Sequence, residues 1–171
     1  MNKHIEKITY VIIIIVIVAI FIGAYFILDK FLLKDDKNKE YKEQITISEV
    51  ETVVTENGLL KYDLSNALKN DEQTKNYIYI DKVNNFQIVY SDFNDEELAK
   101  KNYNTNLNLI KGKYKDLVEK TNISEDKYSK FEVENNDNYI VILKIGTSYF
   151  QVETNKNNKN KLQNIIKSFE K

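Results

Sequence analysis

From Ile8 to Leu28 (ITYVIIIIVIVAIFIGAYFIL) twenty-one consecutive residues carry no charge at neutral pH. At ~1.5 Å per residue a helix of that length crosses a ~30 Å hydrocarbon core. Inside a bilayer only a helix satisfies its own N–H and C=O groups, so the β-branched Ile and Val are expected to be helical here. The pattern then changes. Residues 29–44 (DKFLLKDDKNKEYKEQ) are charged and read as a stalk. Residues 45–171 mix apolar and polar positions at helix and strand periods and suffice for one domain.

Within that domain Thr46-x-x-Glu49 matches a capping box, and Val50, Val53 and Val54 share a helical face, which predicts a helix from Thr46 to about Asn57 stopped by Gly58. Asn57-Gly58 also fits a hairpin turn between Val53-Val54 and Leu59-Leu60, which is the competing reading. Residues 62–76 are polar and read as irregular, with one helical turn around Leu64 to Leu68. The runs Tyr77-Ile78-Tyr79-Ile80 and Phe86-Gln87-Ile88-Val89-Tyr90 predict a β-hairpin across residues 81–85. A helix capped by Asp92 or Asn94 follows, with Asp95, Glu96 and Glu97 in its first turn, Ala99, Tyr103, Leu107 and Ile110 on its apolar face, and Gly112 at its end.

The clearest pattern runs from Phe131 to Thr154, where two turns divide three alternating strands into a meander. Gly146-Thr147 suits a type II′ turn, which pairs Ile145 with Ser148, Leu143 with Phe150 and Val141 with Val152. Val141, Leu143, Phe150 and Val152 then form one apolar surface, opposite Ile140, Ile142, Lys144, Tyr149, Gln151 and Glu153. A last helix, capped by Asn157 or Asn158, carries Leu162, Ile165, Ile166 and Phe169 on one face. The fold class is α+β, with a five-stranded, mainly antiparallel sheet in the order α-ββ-α-βββ-α, packed by helices.

Composition narrows the address and the chemistry. The chain has no Cys, Pro, Trp or Arg and is rich in Lys, Asn and Ile, the usage of an AT-rich genome such as those of low-GC Gram-positive bacteria. Without Cys there is no lipidation site, and no small-x-small cleavage pattern follows the apolar run before Asp29, so Ile8 to Leu28 reads as a retained anchor. A pilin leader is set aside because Glu6 precedes the run and no glycine stands upstream. Residues 1–7, with His4 as a flank residue, form a short cytoplasmic head, and the long C-terminal domain is expected outside. Lysine counts on the two sides do not themselves set this orientation. A near-neutral net charge and the absence of arginine's bidentate fork argue against a nucleic-acid partner.

Several motifs resemble those of a family: Glu97-Leu98-Ala99-Lys100 opening the middle helix, Tyr128-Ser129-Lys130-Phe131 entering the meander, Ile145 to Val152 (IGTSYFQV), and the closing Ile166-Lys167-Ser168-Phe169. Over residues 45–171 they resemble a group of small uncharacterised surface lipoproteins and membrane-anchored proteins of clostridia and their relatives. That resemblance implies no activity and no catalytic residues, and here a transmembrane helix would replace the lipidated cysteine. The final strand-strand-helix also resembles PsbP- and DcrB-type α/β/α sandwiches, the alternative fold.

Nucleophilic Cys-His or Ser-His chemistry and a zinc cluster are excluded for the domain, since it contains neither Cys nor His. Glu132 with Glu134, and Glu125 with Asp126, are candidate carboxylate pairs but read as solvated charges. The acidic stretch 92–97 lacks the glycine of a calcium loop and reads as a helix cap. Four scattered glycines make no phosphate loop. No cofactor, metal or enzymatic activity is expected. The leading expectation is a membrane-tethered extracytoplasmic binding module. The second is an auxiliary subunit of a transport, secretion or envelope-assembly complex, in which Ala19-x-x-x-Gly23 would pack against another membrane helix. If Ile78 and Ile80 join Leu143 and Phe150 inside, then Tyr77, Tyr79, Ile142 and Tyr149 form a candidate partner-binding face edged by Glu132, Glu134, Lys144 and Gln151. The opposing expectation is that the first helix covers this side through Val50, Val53 and Val54.

Overall fold

In the computed structural model of the chain the described residues are 40–67 and 72–171. The Ile8 to Leu28 span, its head, and the stalk up to residue 39 lie outside them. Among the described residues no helix is long and apolar enough to cross a membrane.

Thr46 caps helix α1 (Ile47–Glu56) through the capping box: its hydroxyl accepts from Glu49 N while Glu49 Oε2 accepts from Thr46 N at 2.7 Å. Asn57 and Gly58 (φ +74°) close the helix, and strand β1 (Leu60–Asp63) starts directly after. The segment is thus the predicted helix and not the competing hairpin: Val53 and Val54 are helical, and β1 pairs with a later strand. After β1 the chain makes a turn in which Ala67 N donates to Leu64 O at 3.0 Å. The predicted hairpin is β2 (Gln73–Asp81) with β3 (Phe86–Phe93), and Asp81 accepts from Val83 N and Asn84 N inside its turn.

Helix α2 (Glu96–Lys113) is capped by Asp95, whose side chain accepts from Leu98 N, and not by Asp92 or Asn94. Gly112 lies inside the helix and does not end it; the chain leaves helical geometry at Tyr114. Strands β4 (Val118–Ser124), β5 (Tyr128–Glu134), β6 (Asn138–Ile145) and β7 (Ser148–Asn155) follow as a continuous meander. After a 3-10 turn, α3 (Lys159–Phe169) closes the domain, burying Leu162, Ile165, Ile166 and Phe169 as its spacing predicts.

The sheet is antiparallel with seven strands, not five, in the order β1-β2-β3-β7-β6-β5-β4. The two additional strands are its edges. Both bury little, because an edge strand pairs on one side only: all four residues of β1 are exposed, and β4 (VEKTNIS) shows no apolar alternation. Two meanders meet where β3 pairs with β7, and α2 makes the crossover between them. The β6–β7 register is the expected one: Ile145 with Ser148, Leu143 with Phe150 and Val141 with Val152. Helices α1 and α3 pack through Val50, Val54, Leu162 and Phe169 on the Leu143–Phe150 face, and α2 packs through Ala99, Tyr103 and Ile110 on the Ile142–Tyr149 face. The layers are therefore helix pair, sheet, helix.

The compact unit spans Tyr41–Lys171, so residues 41–44 belong to it and not to a stalk. Tyr41 stacks on Tyr128 with ring centroids 4.4 Å apart, and Lys42 Nζ meets Glu49 Oε1 at 2.8 Å. Gly146 sits beneath this segment at φ +58°, and a Cβ there would overlap the Gln44 amide and come within 2.9 Å of Glu43 O. Gly146→Ala is expected to cost ~1–2 kcal/mol from the left-handed backbone alone, and more once residues 43 and 44 are displaced. Urea titration of both proteins measures it.

Candidate functional site

The four residues of the predicted partner-binding face do not come together. Following the registers across the sheet, Asp63, Tyr77, Tyr90, Phe150 and Leu143 make one row, which lies on the α1/α3 side. Tyr62, Ile78, Val89, Gln151, Ile142 and Phe131 make another, on the α2 side. Tyr77 (4% exposed) and Tyr79 (0%) join Leu143 and Phe150 in the core, whereas Ile142 (0%) and Tyr149 (2%) are sealed under α2. This inverts the expected facing of Ile78 and Ile80. In β2 both sets of side chains are apolar, so hydropathy leaves the facing open and pairing with β3 decides it. Val50 and Val54 do cover Tyr77 and Tyr79, as the opposing expectation held, but Ile142 and Tyr149 lie on the other face.

Tyr77, Tyr90, Phe150 and Phe169 form an aromatic column, with centroid steps of 5.8, 5.1 and 4.6 Å. The Tyr90 hydroxyl lies 3.2 Å from Ser148 Oγ, and burial raises its pKa well above the ordinary phenol range. These rings hold the domain together and are closed to a partner.

Two residues of the predicted rim, Glu132 and Glu134, belong to a network beneath α3, whereas Gln151 lies on the α2 side and accepts from the Tyr149 hydroxyl at 2.8 Å. Glu132 accepts from Gln163 Nε2 at 2.9 Å, and Glu134 accepts from Lys159 Nζ at 2.7 Å with Lys120 Nζ at 3.0 Å and Lys156 Nζ at 3.6 Å. Bonds to Lys159 and Lys120 bring the Glu134 pKa from 4.5 to about 2. At Asp81 burial opposes ionisation, yet the bonds from Lys161 and Asn84 hold its carboxyl at about 2. A carboxylate so depressed stays ionised and serves as a clamp, since a general acid needs the reverse shift. Its stabilising effect is complete above the ordinary carboxyl pKa and is lost as pH falls toward 2. Glu134→Gln is therefore expected to flatten the loss of stability between pH 5 and 2 (~5 to ~2), read from denaturation midpoints across that range.

Glu125 and Asp126 stand apart from this network, with Asp126 Oδ1 3.5 Å from Lys100 Nζ. Among the described residues no group of three or more His, Cys, Asp or Glu is placed to hold a metal. Lys144 leaves the predicted rim altogether. It is fully buried at the start of α2, its Nζ donates to Asp126 O at 2.7 Å, and burial pulls its pKa down. Its parity with Ile140 and Ile142 in NYIVILKI was the available signal. A cleft of about 140 Å³ between β2 and α2, lined by Gln73, Phe93, Leu98 and Lys101, is smaller than the ~300–1,000 Å³ of usual ligand pockets.

What remains open is the sheet itself. Helix α2 covers one of its faces at Phe93 of β3, Phe131 of β5, Ile140 and Ile142 of β6 and Tyr149 of β7, and stops short of the β1 edge. There Leu60 (45% exposed) and Tyr62 (43%) stand beside half-buried Ile78, Ile80 and Val89, an apolar surface at an open sheet margin. The sequence offers Leu60 as a strand residue only in the competing hairpin and leaves Tyr62 in an irregular stretch, so this surface is not visible in the hydropathy pattern. Comparison with known protein families, curated proteins and solved structures returns no match.

Proposed function

We propose that the chain is a membrane-anchored extracytoplasmic interaction module without catalytic activity, and that its contact surface is β1 with the adjoining parts of β2 and β3 that α2 leaves bare. One observation carries this reading. Tyr62, Ile78 and Val89 form an apolar row, with Leu60 and Ile80 beside it, in which Leu60 and Tyr62 are exposed and the other three half-buried. Apolar side chains grouped at a sheet margin mark contact surfaces more than scattered ones do. An aromatic ring with a polar tip is the type of residue that contact surfaces favour. The address rests on Ile8 to Leu28 as the bilayer-spanning segment, oriented N-inside and C-outside, and the likeness to clostridial surface lipoproteins points the same way.

The second reading, an auxiliary subunit of a membrane complex, is favoured by Ala19-x-x-x-Gly23 and places the contact within the bilayer. Pull-down of the full chain from detergent-solubilised membranes separates the two. Leu60→Ser with Tyr62→Ser is expected to abolish partner recovery and leave the circular dichroism spectrum unchanged. Gly23→Leu abolishes recovery only if the bilayer contact governs. Full recovery with the Leu60/Tyr62 variant overturns the proposal.

A further inference from the structure

We infer that the partner of this surface is a second copy of the chain, joined by antiparallel pairing of β1 with β1 about a two-fold axis through Tyr62. The inference rests on the reading of the β1–β3 face as a contact surface and names its occupant. Leu64 N donates to Asn76 O at 2.8 Å, in the same register that pairs Leu60 with Ile80 and Tyr62 with Ile78. In an antiparallel ladder the bonding direction alternates, so Leu60, Tyr62 and Leu64 bond inward to β2 while Lys61 and Asp63 point their N–H and C=O groups outward. The free edge is thus formed by those two residues.

A two-fold axis normal to the sheet keeps each face on its own side, so only residues of like facing can oppose each other. With the axis at Tyr62, Lys61 opposes Asp63 of the second copy twice, each pair exchanging both of its backbone hydrogen bonds. Opposite charges therefore meet where the edge groups need partners. Within each copy Lys61 Nζ already meets Glu51 Oε1 at 2.5 Å and Asp63 Oδ1 accepts from Ser65 N at 2.9 Å, so the cross-copy pairs add to contacts already made. On the other face Tyr62 meets Tyr62 and Leu60 meets Leu64, joining the two bare surfaces into one apolar stripe. The neighbouring register, with the axis at Lys61, would set lysine against lysine. It would also require the Leu59 N–H, which already donates to Val54 O at 2.9 Å. Charge and backbone bonding therefore select the same register. The other edge is unlike it: β4 carries a register irregularity between Glu119 and Thr121, a form that discourages pairing.

The chain contains no cysteine, so single replacements report cleanly. In the proposed register the Tyr62 pair is not hydrogen-bonded, with Cα atoms ~4.5 Å apart, inside the ~4.4–6.8 Å that a disulfide spans. Tyr62→Cys in the full chain, in detergent and under mild oxidation, is expected to give a disulfide-linked dimer. Lys61→Cys is expected not to link, since its equivalents are ~7–8 Å apart on the diagonal. Adding Asp63→Lys to Tyr62→Cys turns both ion pairs into like-charge contacts and should lower the linked fraction about tenfold. Adding Lys61→Asp as well should restore it.

A linked fraction indifferent to these charges, or linkage through Lys61→Cys equal to that through Tyr62→Cys, overturns the inference. So does a monomeric Tyr62→Cys. In that last case a photo-reactive residue at position 62 separates the two failures: attachment to a different protein overturns the dimer alone, and attachment to nothing overturns the contact surface with it.

Discussion

Phe150→Ala is expected to cost ~3–5 kcal/mol, the largest loss from any single truncation considered. Phe150 is fully buried, its ring stacks on Phe169 at 4.6 Å and tilts against Tyr90 at 5.1 Å. It therefore links β3, β7 and α3 at the junction of the two meanders, where removing the ring leaves a cavity bounded by rigid neighbours. Denaturant unfolding measures the loss. A cost below ~1 kcal/mol would contradict the assignment of this face as core.

The second large effect lies on the opposite face. Ile142→Ala is expected to cost ~2–5 kcal/mol, because Ile142 is sealed between β6 and α2 with Phe131 as its strand neighbour. Tyr62→Ala, in the same row across the sheet but beyond the reach of α2, is expected to stay within ~0.5 kcal/mol when measured on the dilute chain, in which no second copy covers β1, as surface substitutions do. The pair tests the central geometric statement, that one sheet face is covered at β6 and bare at β1. Equal costs would mean that something covers β1 as well.

These two residues also show where reading the chain succeeds and where it stops. The Gly146-Thr147 turn fixes the register of β6 on β7, and alternation then assigns Leu143 and Phe150 together. The capping box of α1 and the apolar spacing of α3 are equally local, and both are present as expected. Alternation cannot say whether a second face is also covered. Ile140, Ile142 and Tyr149 read as surface only because the cover, α2, enters from forty residues earlier in the chain. Tyr77 and Tyr79 were placed outside for a related reason: YIYI is apolar at both parities, and its facing comes from Tyr77 opposing Tyr90. The edge LKYD alternates over only four residues and runs into the polar stretch that follows it, so its trace is faint, although it carries the candidate contact. Sequence reasoning therefore recovered the interior of the sheet better than its margin.

Two proposed properties of that margin, its engagement in a contact and its place outside the membrane, are open to one measurement. Single-cysteine labelling with a membrane-impermeant maleimide, on intact protoplasts expressing the full chain, tests both at once. Val83, 92% exposed in the β2–β3 turn, supplies the reference. The expected result is ready labelling of Val83→Cys with the membrane intact, and labelling of Tyr62→Cys several-fold slower there than in the dilute purified chain. If Val83→Cys reacts only after the membrane is opened, or if Tyr62→Cys labels equally fast in both settings, the account is contradicted.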